Sequence, residues 1–281
     1  MIANFFWDNK KISIYEYACL KSFLKNNFDV HVYSYKNIIL PKKIKLKNAS
    51  DILPKKYLNK FTHGGKKGCL AAFADLFRIH LQKKNLGWWF DSDVLCLKKS
   101  SEFYNLNKKK IIIGLETDKM INNAVLKIND RELIDLILKK ISNIGFNFSW
   151  GKIGPQLITE ILKETGQLSI SMSKESFYPI NFTNFENLLV PRYLKKAKLL
   201  TKSSYTCHNY NQILSRFAIP KNIMPPKNSF LYEKFLKYCP ELKNIETLPI
   251  HTLNRLLNKE NGFKENLKDL LPSFFRALKK I

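Results

Sequence analysis

Acidic residues and arginine are scarce in this 281-residue chain. It carries 23 Asp and Glu against 48 Lys and Arg, for a formal net charge of +25, and only six of those 48 are arginine. An excess of this size suits an anionic partner such as nucleic acid, a membrane surface or an anionic substrate. A bias of composition toward Lys, Asn and Ile would give the same excess without any binding function, and the sequence leaves both explanations open.

Cysteine pairs and long apolar runs are also missing. The five cysteines are odd in number and widely spaced, with no CxxC or Cys/His ligand spacing, which argues against a disulfide framework or a structural zinc. The short apolar run at the N-terminus has no basic segment before it, unlike a signal peptide. No apolar run reaches the ~18 residues of a membrane span. We therefore expect a cytoplasmic protein, soluble or peripheral to a membrane.

Apolar material for a core is abundant. Hydrophobic residues make up 45% of the chain and aromatic residues 13%, which excludes disordered and low-complexity proteins. The first 35 residues predict a strand over 2–7, a helix that begins at a Ser13–Glu16 capping box, and a strand over 29–35. This order is typical of a βαβ unit with a parallel sheet. Residues 41–47 predict a basic loop.

Helices and strands continue to alternate until about residue 220. The patterns predict helices over 68–84, 130–142 and 155–164, and strands over 86–90, 94–97, 111–115, 123–128 and 205–208. Beyond residue 220 the chain is Lys-rich and helical in pattern. We predict an α/β domain over 1–220 and a basic helical region over 221–281.

The triplet Asp91-Ser92-Asp93 carries the most chemical information. It follows the apolar run Trp88-Trp89-Phe90, and two carboxylates in apolar surroundings are costly unless a cation or hydrogen bonds compensate them. Paired carboxylates suit Mg²⁺ or Mn²⁺, which can in turn hold a diphosphate. A solvated surface turn is the alternative.

A second pair lies upstream, where Asp75 and Arg78 are one helical turn apart. Taken alone, this spacing favours an ion pair on a solvent-exposed helix face, worth a few tenths of a kcal/mol.

With these residues in view, the chain resembles a known family. Segments 68–78 (GCLAAFADLFR) and 87–97 (GWWFDSDVLCL) resemble the DXD sugar-binding region of bacterial GT-A glycosyltransferases, which are related to the family 32 mannosyltransferases and, more distantly, to clostridial glucosylating toxins. Residues 208–211 (HNYN) resemble the closing histidine motif of the family, often His-Leu-Trp-Asn. Five further segments also resemble the family and stand along the chain in the family's order: 34–35, 49–54, 121–125, 150–157 and 177–179. The likeness therefore covers roughly residues 1–215.

The resemblance implies a Rossmann-like GT-A fold and transfer, with retention, from a nucleotide sugar to a surface glycan such as lipooligosaccharide or capsular polysaccharide. It implies a UDP-sugar donor and Mn²⁺ or Mg²⁺ as cofactor. Apart from the resemblance, the Lys-rich segment after residue 220 suits a peripheral position at the inner face of the bacterial plasma membrane. Matching positions imply that the metal is held by Asp91, Asp93 and His208, and that the catalytic residues are Asp91, Asp93 and Gln156. They also imply that the substrates are bound by Trp7, Asp75, Arg78, Ser92, Asn122, Asn123 and Gln156.

The chain departs from the family pattern at two places. Tyr210 stands where the closing motif usually has Trp, and Asp8-Asn9 replaces the usual glycine pair after Trp7. These departures weaken the nucleotide-base and His208 assignments more than the DXD assignment.

The C-terminal segment 261–281 allows two interpretations. Apolar residues recur there at helical spacing among lysines, which suits either an anionic bilayer surface or packing on the catalytic domain.

Two other functions are alternatives to a glycosyltransferase. A nucleic-acid-binding protein is the rival class, but arginine is rare and the lysines are spread along the chain without an RRM, KH or zinc-finger pattern. We therefore expect no nucleic-acid partner. A catalytically silent relative is the other alternative, and the intact DXD argues against it.

Overall fold

The computed structural model describes residues 1–63, 66–147 and 151–258. Its strands are β1 (Ile2–Phe6), β2 (Asp29–Ser34), β3 (Lys45–Asn48), β4 (Thr62–His63), β5 (Lys66–Lys67), β6 (Trp88–Phe90), β7 (Val94–Cys96), β8 (Ile111–Thr117), β9 (Met120–Ile128) and β10 (Thr206–His208). Its helices are α1 (Ile14–Lys25), α2 (Leu70–Lys83), α3 (Tyr104–Asn107), α4 (Arg131–Ile144), α5 (Pro155–Glu164), α6 (Lys174–Phe177), α7 (Leu194–Leu200), α8 (Asn211–Arg216), α9 (Phe230–Tyr238) and α10 (Ile250–Asn258).

The central sheet has six strands in the order β3-β2-β1-β6-β9-β8. Strands β3, β2, β1 and β6 are parallel, whereas β9 runs antiparallel to both β6 and β8. The predicted α/β class and the βαβ unit of β1, α1 and β2 are therefore confirmed. The strand order reverses at β1, with β2 on one side and β6 on the other. In open α/β sheets, ligands bind beside such a switch point, at the carboxyl ends of the strands.

Strand β3 corrects the prediction of a loop over 41–47. Its residues Lys45–Asn48 are all exposed and pair in parallel with β2 at the sheet edge. The loop prediction was wrong because a solvated edge strand lacks the alternating apolar residues that signal a half-buried strand. Lysines on such an edge discourage pairing with another chain.

Local capping explains where the helices begin. Ser13 and Glu16 form the predicted capping box of α1, Asp130 accepts the Leu133 N–H at the start of α4, and Pro155 occupies the first turn of α5. Helix α2 buries Phe73, Phe77 and Leu81 against the sheet, whereas Leu70 at its start is exposed. These contacts fix the ends of α2 and α5 near the sheet, where the site is built.

Residues beyond 220 pack on the N-terminal helix. The ring centroids of Tyr15 and Phe235 lie 5.1 Å apart, and both belong to one apolar cluster with Phe230 and Leu231. The division at residue 220 stays a prediction, and the amphipathic segment 261–281 lies outside the described residues. Within the described ranges, no helix combines the length and apolar character needed to cross a membrane.

Candidate active site

A cavity of about 550 Å³ opens at the switch point of the sheet. Trp7 follows β1 and Asp91 follows β6, so the carboxyl ends of these two adjacent parallel strands supply its floor. Six acidic residues of a chain that has only 23 line it, together with three basic residues of 48. The acidic ones are Asp8, Glu16, Asp75, Asp91, Asp93 and Glu116, and the basic ones are Arg78, Arg216 and Lys221.

Asp93 and His208 meet because β7 and β10 pair in an antiparallel hydrogen-bonded ribbon. His208 lies opposite Val94 in this register, which places its Nε2 3.1 Å from Oδ1 of Asp93. The backbone N–H of Asn211, at the start of α8, donates to Oδ2 of Asp93 at 2.8 Å. Asp91 completes a group whose ligand atoms all lie within 4.8 Å of one another.

The contact between Asp93 and His208 favours the charged form of each side chain in spite of its burial. Burial disfavours the carboxylate, but the imidazole and the Asn211 N–H outweigh burial and lower the pKa of Asp93 to about 2. Burial likewise disfavours the imidazolium, whereas Asp93 favours it and leaves the pKa of His208 raised.

Asp75 and Arg78 form a buried network with Asp91. The guanidinium of Arg78 lies 3.3 Å from Oδ1 of Asp75 and 3.1 Å from Oδ1 of Asp91, and it stacks 5.1 Å from the ring centroid of Trp89. The Trp89 indole N–H donates to the same Asp91 oxygen at 2.7 Å. The solvent-exposed ion pair that the spacing alone favours is therefore wrong, since both residues are buried in the wall of the cavity.

The carboxyl group of Asp75 is held in a tight place. Burial raises its pKa to about 6, although Arg78 and the Asn123 side-chain amide, which donates to Oδ1 at 2.9 Å, act in the opposite direction. A Cβ atom on Gly154, just before α5, would lie 2.3 Å from Oδ2 of Asp75. Glycine at residue 154 is thus required for the carboxyl group to occupy this position.

The structure brings most of the sequence-predicted site residues to the cavity. Those that line it are Trp7, Asp75, Arg78, Asp91, Ser92, Asp93, Asn122, Asn123 and His208. Gln156 is not among the lining residues. Its side-chain amide donates instead to Glu160, one turn further along α5, at 3.0 Å. The helix turns this side chain away from the cavity, so the geometry does not place Gln156 in the catalytic role that the resemblance implies.

The two departures from the family pattern have structural partners. The hydroxyl of Tyr210 lies 2.9 Å from Oε1 of Glu116 and 2.9 Å from the Ile180 carbonyl oxygen, a contact that Trp could not make in the same way. Asp8 pairs with Lys36 at 2.9 Å. Both residues therefore shape the cavity wall through polar contacts.

Sequence reasoning missed Glu16, Glu116 and Arg216 as cavity residues. Glu116 ends the apolar run of β8, the same signal that marks Asp91 after β6, and this signal could have identified it. Glu16 reads as a capping residue, yet its other oxygen also accepts from Lys221 at 2.8 Å and from the Asn211 side chain. Arg216 carries no local signal, because only the packing of α8 brings it to the cavity.

The group Asp91, Asp93 and His208 fits a divalent cation. Two carboxylates and an imidazole are a donor set that Mn²⁺ accepts well and Mg²⁺ can also use. The Nδ1 atom of His208 is buried and has no hydrogen-bond partner among the described residues, so the histidine has an unused donor or acceptor here. The residues present therefore suit the metal that the resemblance implies.

One family profile matches part of the chain. Residues 129–245 match the alpha 1,4-glycosyltransferase conserved region. The matched segment includes Gly154, His208 and Tyr210, and it begins after Asp75 and after the Asp91–Asp93 segment. No curated protein matches the chain.

Two solved structures show low similarity. The PaToxG glycosyltransferase is 12% identical over 71% of this chain and 76% of that one, with a TM-score of 0.40. The WbbM bifunctional glycosyltransferase is 11% identical over 87% of this chain and 50% of that one, with a TM-score of 0.37. The matched profile covers 117 of the 281 residues, and it supports the sequence-based prediction of transferase activity on an α/β sheet.

Proposed function

We propose that the protein is a metal-dependent, retaining glycosyltransferase that moves a hexose or N-acetylhexosamine from a UDP-sugar to a surface glycan, such as lipooligosaccharide or capsular polysaccharide. The observation that carries this proposal is the group Asp91, Asp93 and His208, built beside the buried Asp75–Arg78 pair at the switch point of the sheet. Glycosyltransferase homology implies a nucleotide-sugar donor and a glycan acceptor.

Different cavity residues bind the base, the diphosphate and the sugar of the donor. Trp7, beside β1, offers an aromatic face for the uracil base, and its indole N–H is already occupied by the Lys11 carbonyl at 3.2 Å. Asp91, Asp93 and His208 hold the divalent cation, which supplies positive charge against the negative charge that develops on the leaving diphosphate. Asp75 and Arg78, fixed by Asn123, bind the hydroxyl groups of the donor sugar.

Retention is supported by the chemistry of the matched family. Its description names an alpha 1,4 linkage, and an alpha product from an alpha-linked UDP-sugar requires retention at the anomeric carbon. We assign a front-face reaction, in which the acceptor hydroxyl approaches from the side that the diphosphate leaves. The buried Arg78–Asp91 and Asp93–His208 pairs fix charges at the site before the reaction, and such preorganised charges reduce the reorganisation that the reaction needs.

A thermal-shift panel of UDP-, GDP- and CMP-sugars, each with and without Mn²⁺, tests the proposal. We expect stabilisation by a UDP-sugar that requires the metal, because bound ligand stabilises the folded state by mass action. Stabilisation by oligonucleotides alone, lost as salt is raised, would instead support the nucleic-acid-binding alternative. A sugar nucleotide that binds but is neither transferred nor hydrolysed would support the catalytically silent alternative.

Peripheral attachment to the inner face of the plasma membrane is proposed for the Lys-rich region 221–281. Its positive charge suits an anionic lipid surface. Co-sedimentation with vesicles that contain phosphatidylglycerol should fall when the chain is truncated after Asn258. Equal binding of the truncated and full chains would remove this part of the proposal.

A further inference from the structure

Five of the six cavity carboxylates have a cationic partner. The pairs are Asp8 with Lys36 at 2.9 Å, Glu16 with Lys221 at 2.8 Å, Asp75 with Arg78 at 3.3 Å, Asp91 with Arg78 at 3.1 Å, and Asp93 with His208 at 3.1 Å. Glu116 is the exception. Across the described residues, it has no ion pair with Lys, Arg or His.

Glu116 is nevertheless buried, with 5% of its surface exposed. Its oxygens accept only from neutral groups: the Tyr210 hydroxyl at 2.9 Å and the Asn122 side-chain amide. The Asn122 amide is a donor, whereas the single Tyr210 O–H proton can be directed either to Oε1 of Glu116 or to the Ile180 carbonyl oxygen, which lies at the same distance. With that proton directed to Oε1, both neighbours donate to a carboxylate that can only accept. A charge in such a place is costly, and a positive charge on a ligand would offset that cost.

The reaction develops a positive charge in this cavity. As the bond between the anomeric carbon and the diphosphate oxygen breaks, the sugar becomes oxocarbenium-like. The arginine and histidine of the site, like a divalent cation, offset negative charge on the diphosphate. They do not stabilise a positive charge on the sugar. Gln156, which the resemblance implies as a catalytic residue, donates its side-chain amide to Glu160 instead.

We infer that Glu116 is a catalytic residue whose carboxylate stabilises the positive charge of the sugar in the transition state. This inference rests on the proposed function of the same cavity. A fixed charge in a site of low dielectric acts strongly on a charge that develops only during the reaction. Asn122 and Tyr210 then serve as positioning residues that hold the carboxylate.

The step balances without a bond to Glu116. The electron pair of the broken bond leaves with the diphosphate, the acceptor oxygen forms the new bond to the anomeric carbon, and its proton passes to the departing diphosphate oxygen. Glu116 forms no bond and takes no part in the proton transfer. The sugar is transferred with no change of oxidation state, so no oxidant or reductant is required.

The first test compares Glu116→Gln with Glu132→Gln, an exposed glutamate in the first turn of α4. The readouts are hydrolysis of the UDP-sugar that the thermal-shift panel selects, and the Kd of UDP with Mn²⁺. We expect Glu116→Gln to lower kcat by about 10²–10³-fold, as loss of one fixed electrostatic group does, while the Kd of UDP and the KM of the donor change less than about threefold. Glu132→Gln should match the wild type.

The second test needs no turnover. A protonated iminosugar, 1-deoxynojirimycin or its galacto isomer, carries a positive charge near the position of the anomeric carbon. In the presence of UDP and Mn²⁺, we expect it to bind the wild type at least about tenfold more tightly than Glu116→Gln, since charged hydrogen-bonding partners contribute this much. Tyr210→Phe, which keeps the charge, should lose much less of this affinity.

The outcomes separate the two proposals. Unchanged kcat and unchanged iminosugar affinity in Glu116→Gln would overturn the role of Glu116. So would a loss of UDP affinity or of thermal stability that accounts for the whole effect, because Glu116 would then be structural. If no sugar nucleotide binds the wild type at all, the result contradicts the proposed function itself, independently of any role of Glu116.

Discussion

Two ion pairs of the same length show how differently the cavity and the outer surface use charge. Arg78 and Asp91 lie 3.1 Å apart in the cavity wall, where the Arg78 side chain is 4% exposed. Arg131 and Asp135 lie 3.0 Å apart on α4, with side chains 64% and 49% exposed. Exposed pairs contribute about 0–1 kcal/mol, whereas removing one partner of a buried pair costs about 3–5 kcal/mol. The location of a charge, rather than its distance to a partner, decides its effect.

This difference explains why the few acidic residues are more informative than the many basic ones. The cavity gathers six acidic residues into one wall, and only three basic residues join them. Most lysines of the described residues are exposed or half-exposed, where a charge costs little to gain or lose. Within these residues the basic excess therefore lies mainly on the outer surface, whereas acidic residues are concentrated in the cavity.

Asp93→Asn should show the largest effect. It removes a metal-binding charge and leaves the buried imidazole of His208 without its carboxylate, so we expect transfer and donor hydrolysis to fall by at least about 10³-fold, in line with losses at pre-organised sites. Asp135→Asn is the surface control and should keep wild-type activity. Activity above a tenth of wild type in Asp93→Asn would contradict the difference between the two regions.

Asp75→Asn should stabilise the fold at neutral pH while it impairs donor binding, because Arg78 keeps Asp91 as its buried partner at 3.1 Å and asparagine carries no charge for burial to disfavour. Because burial raises the pKa of Asp75 from 3.8 to about 6, the native state binds more protons than the unfolded state between these values, and wild-type stability falls as pH rises through about 4 to 6. The shift corresponds to about 3 kcal/mol. Urea unfolding at pH 4, 5 and 7 should show a gain for Asp75→Asn at pH 7 that disappears at pH 4. A gain of the same size at every pH would contradict this account.

Gly154→Ala should cost about 1–3 kcal/mol of folding stability, the usual range for overpacking. Its new methyl group would collide with the Asp75 carboxyl group, so donor affinity should fall as well. In an Asp75→Ala background the collision is gone, and the same glycine substitution should then cost little. An equal cost in both backgrounds would show that the local backbone, and not Asp75, requires glycine.

Replacing Lys195 and Lys196 with Gln should have the smallest effect. Both lysines are exposed on α7, and surface substitutions of this kind usually change stability by less than about 0.5 kcal/mol. Thermal unfolding and donor hydrolysis should both match the wild type. A tenfold loss of activity in the double variant would show that surface charge takes part in function.

Asp91 and Asp93 were predictable from sequence because their signal is local: an acidic pair directly follows the apolar run of β6. The helical spacing of α2 predicts that Asp75 and Arg78 lie together, although it does not predict their burial. The Ser13–Glu16 capping box and the proline of α5 give two helix starts from local signals as well.

What depends on packing could not be read in this way. The orientation of α5 about its axis lets the Gln156 side chain donate to Glu160. No local sequence pattern predicts this orientation to within a single residue. Strand β3 lacks apolar alternation because it lies at the solvated sheet edge. Arg216 reaches the cavity only through the antiparallel pairing of β7 and β10, which joins residues more than 100 positions apart.

The central claim is that the acidic cavity binds a nucleotide through a divalent cation held by Asp91, Asp93 and His208. Calorimetric titration of UDP in the presence of Mn²⁺ tests it most directly, with a chelator and the Asp91→Asn/Asp93→Asn double variant as comparisons. We predict that UDP binds the wild type with Mn²⁺, and that the affinity falls by at least about tenfold with the chelator or in the double variant. Equal affinity in all three cases would contradict the claim.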